Sequence, residues 1–475
     1  MGHLHRVDGG AGEGGQLRPL DQLAPVWRPG LLALLVLAPL FFISYGAANH
    51  WSASQAHVGS IVFAWEAHIP LLPWTILPYW SIDLFYGLSL LLADSAAVLR
   101  RQVGRLLTAQ ALCVACFYIW PLRFSTARPA LSGWEGQLFD ALAGFDLPYN
   151  QAPSLHIVLL MILWDFYRRR VGAWALMLVH AWSALIGISV LTTYQHHAID
   201  VPTGILAGAL CMWLWPLDGP TPWQRWRQDG VRHDLALCYA LAAVLLSVGA
   251  VALGASWSPV AWGLWWPAAA MLMVALAYAG LGHGVFQKQV SGRHAIAARI
   301  LLAPYRWMAW FNARCWTWRL PASVEVCDGV WLGRLPLPWE RDHTHFEQVL
   351  DVTAELACAH AGVVSVPMLD LLVPLPSRLH EAAGHLMACR GNRPGPVLVC
   401  CALGFSRSAA VVLTWLCLSG RARSLDQAVA MLRQKRPQVV LSAALLSAVD
   451  AAISLQPSVA YHDLPTSNAL KGARA

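Results

Sequence analysis

Apolar residues run almost without interruption in eight stretches, at 31–48, 76–93, 104–122, 153–167, 171–190, 201–217, 235–256 and 261–282. Each approaches the roughly 20 residues that a helix needs to cross a bilayer, so the pattern predicts eight transmembrane helices. The second is the least regular, containing Asp83 and following Pro70, Pro73 and Pro78. Beyond residue 285 the pattern changes. A segment at 293–319 interleaves Arg299, Arg306, Arg314 and Arg319 with Trp307, Trp310, Trp316 and Trp318, a mixture suited to the headgroup layer of a membrane. From about 320 to 457 the apolar runs shorten and charge rises. There "VEVCDGVWLGRLP" (324–336) predicts two strands about a turn at Asp328-Gly329, "HFEQVLDVTAEL" opens as a helix, "GVVSVPMLD" reads as a strand, and "PVLVC" (396–400) as a short buried one. "FSRSAAVVLTWLCL" predicts a helix, and two more follow, the first capped by Ser424. The expected architecture is a membrane all-α helical bundle followed by a soluble α/β domain.

The loops between the apolar stretches set the expected sidedness. Arginines occupy the N-terminal tail (Arg6, Arg18, Arg28) and the loops after the second, fourth, sixth and eighth stretches, whereas 49–75, 191–200 and 257–260 contain no Lys or Arg. The positive-inside rule then puts the N-terminus and everything after 285 in the cytoplasm, with the first stretch as a retained signal anchor. Only the loop 123–152 breaks the alternation, with Arg123 and Arg128 expected outside.

Composition agrees with a membrane protein: 57% of residues are hydrophobic and only 12% charged, about half the usual charged share. The net charge of +7 comes from short Arg clusters between apolar runs, which argues against nucleic acid as a partner. The 11 cysteines are odd in number and scattered, the pattern of free thiols; Cys113 and Cys116 sit inside an uncharged stretch as packing residues. The 18 histidines are dispersed, and no metal or cofactor is expected.

Two constellations carry chemistry. On the expected outer face, "LRFSTARP" (122–129), "YNQAPSLHI" (149–157) and "TTYQHHAIDV" (192–201) converge. His196 and Asp200 are four apart and share a face on a helix, where the carboxylate holds one ring nitrogen and leaves the other as a nucleophile. His156 is placed to protonate a leaving oxygen, and Arg123 and Arg128 to bind phosphate oxygens. On the inner side, Cys401 to Arg407 is C-x5-R between a strand and a helix, an arrangement that points backbone N–H groups at an anion. Helix terminus and guanidinium favour the Cys401 thiolate. Gly404 permits close backbone approach, Ser406 and Gly404 line the phosphate-binding loop, and Ser408 stabilises the thiolate. Asp370 is the candidate acid for the leaving oxygen.

The outer motifs resemble those of the type 2 phosphatidic acid phosphatase (PAP2) superfamily, most of all its inositolphosphotransferase-like and sphingomyelin-synthase-like branch. The likeness covers roughly 60–220 and implies a six-helix core, with two extra helices at 221–285, and a phosphohistidine intermediate involving Arg128, His156, His196 and Asp200. Pro121 stands where the phosphatase form has Lys, and Val190 where it has Arg; fewer cations suit a phosphodiester or transfer to an alcohol. The region 321–457 resembles the dual-specificity (tyrosine-type) phosphatases through "DGVWLGRLP", "LDVTAE", "VPMLD", "VLVCCALGFSRSAAVV" and "RQKRP", with Asp370 31 residues before Cys401. Cys400 replaces the His usual before the nucleophile, a departure that either alters the acidity of the nucleophile or permits a protective Cys400–Cys401 link. Bacterial fusions of the two domains form a family that this chain resembles along nearly its whole length. The resemblance implies a bifunctional inner-membrane enzyme of phospholipid metabolism acting on lipid phosphates: a polar tail at 1–30, the PAP2-like domain at 31–220 with a periplasmic site, a membrane-surface linker at 286–320, a cytoplasmic phosphatase domain at 321–457 and a tail at 458–475. The alternatives are a membrane-tethered protein phosphatase with an inert membrane domain, and a lipid transporter with a regulatory phosphatase domain, for which Asp83 and Asp165 leave room.

Overall fold

The computed structural model describes residues 26–227, 229–256, 258–336, 346–392 and 395–455. The expected tail at 458–475 and most of that at 1–30 lie outside the described residues. The described residues divide into two compact units: those up to Gln287 with Ala295–Trp307, and Lys288–His294 with those from Met308 on. The second of these units therefore takes in a segment well before residue 321.

The first unit is helical: α1 (Trp27–Ala53), α2 (Ile76–Leu91), α3 (Ala96–Ile119), α4 (Gly133–Ala143), α5 (Leu155–Tyr167), α6 (Ala173–Thr192), α7 (Asp200–Leu214), α8 (His233–Ser256), α9 (Trp265–Leu276) and α10 (Ile296–Leu301), with α11 (Ala303–Thr317) carrying the chain on. Each of the eight apolar stretches contains a helix. Among the described residues, five helical segments, Trp27–Ala53, Ala96–Ile119, Ala173–Thr192, His233–Gly254 and Pro259–Phe286, are long and apolar enough to cross a membrane. The other three stretches fold as shorter helices: α2, α5 and α7 have 16, 13 and 15 residues. Sequence explains the shortness of α5, which starts where Ser154 Oγ caps Ile157 N–H and stops at the Arg168–Arg170 triplet. Helix α5 buries most of its residues and packs on α7. Gly204 and Gly208 permit that approach, since a Cβ at either would fall 2.7 Å from Ile157 or Met161. The buried Asp165 is held by Arg105 at 3.0 Å, Arg169 at 3.1 Å and Arg168, which accounts for a carboxylate inside an apolar helix.

The second unit contains β1 (Ser323–Cys327), β2 (Val330–Arg334), β3 (Gln348–Thr353), β4 (Val363–Met368), α12 (Pro376–Asn392), β5 (Val397–Cys401), α13 (Arg407–Leu418), α14 (Leu425–Lys435) and α15 (Ala443–Ser454). The sheet order is β1-β2-β5-β3-β4, with β1 antiparallel to β2 and the other pairs parallel. The β1–β2 turn falls at Asp328 and Gly329, both at positive φ. Here one expectation is corrected: "QVLDVT" is strand β3, not the start of a helix. Lying between β5 and β4, all six of its residues are buried, and a β-branched apolar run suits a strand covered on both faces. One face packs Leu350, Val352, Val399 and Cys401 against Leu379, Leu386, Val412, Trp415 and Val449 of the helices. The other packs Val349, Leu398 and Cys400 with Leu356, Cys358 and Ala313 of α11.

Candidate functional site

Strand β5 ends at Cys401 and α13 begins at Arg407, so the intervening turn hangs between the sheet and a helix N-terminus. Gly404 makes the turn possible twice over. Its φ is +74°, and a Cβ there would meet the Gly333 carbonyl of β2 at 2.5 Å. Within the turn, Gly404 N–H and Ser408 Oγ–H each donate to Cys401 Sγ at 3.2 Å. Both donors are aimed at the sulfur, where they can stabilise negative charge that returns to it when a bond to sulfur breaks. Ser406 is the N-cap residue of α13, its carbonyl accepting from Ala410 N–H.

Arg407 is aimed by three groups. Its Nη1 donates to Glu355 Oε2 and to the Met368 carbonyl, both at 2.9 Å, and its Nη2 to Glu355 Oε1 at 2.7 Å. Asp370 Oδ1 stands 3.1 Å from the same Nη2. Burial opposes the guanidinium charge, yet Asp370 and Glu355 hold the Arg407 pKa well above its ordinary value. Burial likewise pushes the Glu355 carboxyl up, but the charge and hydrogen bonds of Arg407 outweigh it, so Glu355 titrates below its usual range. Asp370 is the outermost member, its side chain 38% exposed in the loop after β4. A second guanidinium, Arg436, is buried beneath the turn, donating to the Leu403 carbonyl at 3.4 Å and lying 5.6 Å over the Phe405 ring. Glu355 and Arg436 went unassigned in the sequence, although each lies in a quoted motif, "LDVTAE" and "RQKRP". Nothing local marks either as an arginine clamp or a loop support; only tertiary packing does.

Cys400 faces away from this centre. Adjacent strand residues point to opposite faces, and Cys400 packs with Cys358 and Leu398 while Cys401 belongs to the other layer. Both are free thiols, and burial raises the Cys400 pKa well above its usual value. The structure holds no bond between Cys400 and Cys401.

In the helical unit, His196 and Asp200 meet, with Nδ1 3.1 Å from Asp200 Oδ2. The contact is made by a turn leading into α7 and not by a helical face, because α7 starts at Asp200 itself. Asp200 Oδ2 also accepts His197 N–H at 3.0 Å, which fixes the turn. His197 is fully engaged: its Nε2 accepts from Ser125 N–H at 3.1 Å, so Nδ1 carries the proton and donates to Glu66 at 2.8 Å. His156 Nε2 donates to the Tyr79 carbonyl at 2.9 Å, leaving Nδ1 as the nitrogen with proton capacity. A cavity of about 260 Å³ is lined by His156, His196, Asp83, Asp146, Tyr79 and Phe145 among others. Arg128 lies with its guanidinium 4.6 Å over the Phe139 ring, and Arg123 is exposed, bonded through its backbone N–H to Gly59. Neither arginine lines the cavity. Sequence reading missed Glu66, in a 3-10 turn at Ala64–His68, and Asp146, in a loop, neither of them part of a motif. Burial raises the Asp146 pKa, although Tyr45 and Asn49 donate to its Oδ1 at 2.9 and 3.2 Å.

Strand, cysteine turn and helix, closed by an arginine clamp, define a domain of the cysteine-dependent phosphatase class. More particularly, residues 337–451 match the dual specificity phosphatase catalytic domain, and the chain carries such a domain there. Among solved structures, Tk-PTP in its active form is 22% identical, covering 29% of this chain and 99% of its own, with a TM-score of 0.25. PTPMT1 in complex with PI(5)P is 18% identical, covering 28% and 95%, with a TM-score of 0.25. Human DUSP28 is 22% identical, covering 28% and 93%, with a TM-score of 0.23. No curated protein matches the chain.

Proposed function

We propose that this chain is an integral membrane phosphatase that hydrolyses a phosphomonoester through Cys401, with a lipid headgroup at the inner bilayer surface as substrate. The observation that carries the reading is the double donation to Cys401 Sγ from Gly404 N–H and Ser408 Oγ beside an Arg407 locked by Glu355. In this mechanism the Cys401 thiolate attacks phosphorus, the bond to the ester oxygen breaks, and Asp370 gives that oxygen its proton. The amides of the turn and Arg407 hold the equatorial oxygens as charge develops. Water then attacks the phosphocysteine, Asp370 takes a proton from it, and the departing thiolate regains the Ser408 and Gly404 hydrogen bonds. The lipid assignment draws on the five apolar helical segments and on α11, which leaves Trp307, Phe311 and Trp316 exposed next to Arg306 and Arg314.

The same reading gives the helical unit a second, phosphohistidine-type site on the outer side, with His196 as nucleophile, Asp200 as its orienting group, His156 as proton carrier and Arg128 and Arg123 as phosphate ligands. Its support is the bond between His196 and Asp200, together with the cavity that His196 and His156 both line. The test is phosphate release by purified full-length protein from lipid phosphomonoesters and from a phosphotyrosine peptide, with Cys401→Ser, Asp370→Asn and His196→Ala. Retention of all activities by Cys401→Ser sinks the first site. Turnover of the peptide alone replaces the lipid reading with a tethered protein phosphatase.

A further inference from the structure

Lys288 follows directly on Gln287 of the helical unit, yet the segment Lys288–His294 belongs to the sheet unit, and the chain returns to the helical unit at Ala295. Its side chain is fully buried, as is that of Asp351. All three ammonium protons are used: Nζ donates to Asp351 Oδ2 at 2.5 Å, to the Thr353 carbonyl at 2.6 Å and to Thr353 Oγ1 at 2.8 Å. The other Asp351 oxygen accepts Thr353 N–H at 2.9 Å and its hydroxyl at 2.6 Å. The end of β3 is thus fixed by a charge that arrives from about 60 residues upstream.

The rest of the segment grips the same stretch. A tight turn, with Gln289 N–H donating to the Arg293 carbonyl at 2.8 Å, presents Gly292 at φ +72°. A Cβ on Gly292 would fall 2.8 Å from the Cys358 carbonyl, so the close approach needs glycine. Cys358 N–H donates to the Gly292 carbonyl at 3.0 Å, Ser365 N–H to the Val290 carbonyl at 3.2 Å, and His294 Nε2 to the Ala354 carbonyl at 2.8 Å. Ala354 lies between Thr353, which Lys288 holds, and Glu355, whose carboxylate takes two N–H groups of Arg407.

We propose that Lys288 is a positioning residue for Arg407, acting through Thr353 and Glu355, and that the phosphatase unit is functionally incomplete without the Lys288–His294 clasp. The inference rests on the reading that Cys401 and Arg407 process phosphate. A buried ammonium–carboxylate pair is a weak source of net stability, since desolvating both charges costs about what their attraction returns. What the pair does supply is one fixed geometry for the strand end that carries the arginine's partner.

The test uses full-length protein in detergent, p-nitrophenyl phosphate as substrate and orthovanadate as the phosphate-like ligand. Lys288→Met is expected to lower kcat/KM and weaken vanadate inhibition together by about tenfold or more, the scale of a small misplacement of a binding group. The double variant Lys288→Met/Asp351→Leu replaces the ion pair by apolar contact. It is expected to recover the melting temperature but not the vanadate affinity. Wild-type vanadate affinity in Lys288→Met overturns the proposal. So does recovery of affinity along with melting temperature in the double variant, which makes the clasp structural only. Hydrolysis that persists in Cys401→Ser would instead overturn the underlying reading of the site, whatever Lys288 does.

Discussion

Ser408 Oγ donates to Cys401 Sγ at 3.2 Å from the first turn of α13. The bond matters most when the sulfur departs from phosphorus carrying negative charge. Ser408→Ala is therefore expected to slow breakdown of the phosphocysteine more than its formation, by about tenfold or more for the loss of one preorganised donor. Rapid mixing with p-nitrophenyl phosphate checks it: a burst of nitrophenol near one equivalent, followed by a reduced steady rate, is the expected record.

Gly404 gives a second prediction. At φ +74° with the Gly333 carbonyl 2.5 Å from any Cβ, Gly404→Ala carries both a strained backbone and a clash with β2. The backbone strain alone costs on the order of 1–3 kcal/mol. The variant should melt several degrees lower and lose vanadate affinity, because relief of the clash moves the amide that donates to Cys401 Sγ.

How far the sequence could be read follows from what each element depends on. The cysteine turn was legible because strand, C-x5-R and helix are contiguous, and α13 and the Ser424 cap of α14 follow local rules. Strand β3 was misread at its start because its central place in a parallel sheet, not local periodicity, decides its conformation. The partners of the site were hidden for a related reason. Glu355 reaches Arg407 across 52 residues, and Glu66 reaches His197 across 131. His196 and His197 were separable only in part by spacing, and hydrogen bonding distinguishes their environments.

Glu355 predicts a pH dependence. Its folded-state pKa lies below the ordinary glutamate value because Arg407 overcomes the penalty of burial. A group depressed on folding contributes stability above its unfolded pKa, about 4.3, and that contribution is lost as pH falls through the lower folded value. Melting temperature of the full-length protein should therefore drop below pH ~4.3, and less steeply in Glu355→Gln. At pH 7 the same variant should be destabilised by about 3–5 kcal/mol, since it leaves a buried guanidinium without its carboxylate. A parallel pH profile for wild type and variant would count against Glu355 as the titrating group.

His196 and His197 provide the last prediction, because neighbours in sequence have opposite bonding. His197 spends both ring nitrogens, one on Ser125 and one on Glu66, whereas His196 uses only Nδ1 on Asp200 in the bonds that orient it. If His196 Nε2 is the nucleophile, His196→Ala should abolish acid-labile phosphate labelling of the full-length protein by a labelled phospholipid while leaving its melting temperature near wild type. His197→Ala should instead lower the melting temperature, because the ring that ties Glu66 to Ser125 is lost and only backbone N–H groups of Phe63 and Ala198 still reach the carboxylate. Its labelling should persist in the fraction that stays folded. Both readouts come from one preparation in a Cys401→Ser background, which removes the sulfur site from the count. Labelling that survives in His196→Ala, or that vanishes in His197→Ala protein of unchanged stability, would move the nucleophile away from His196.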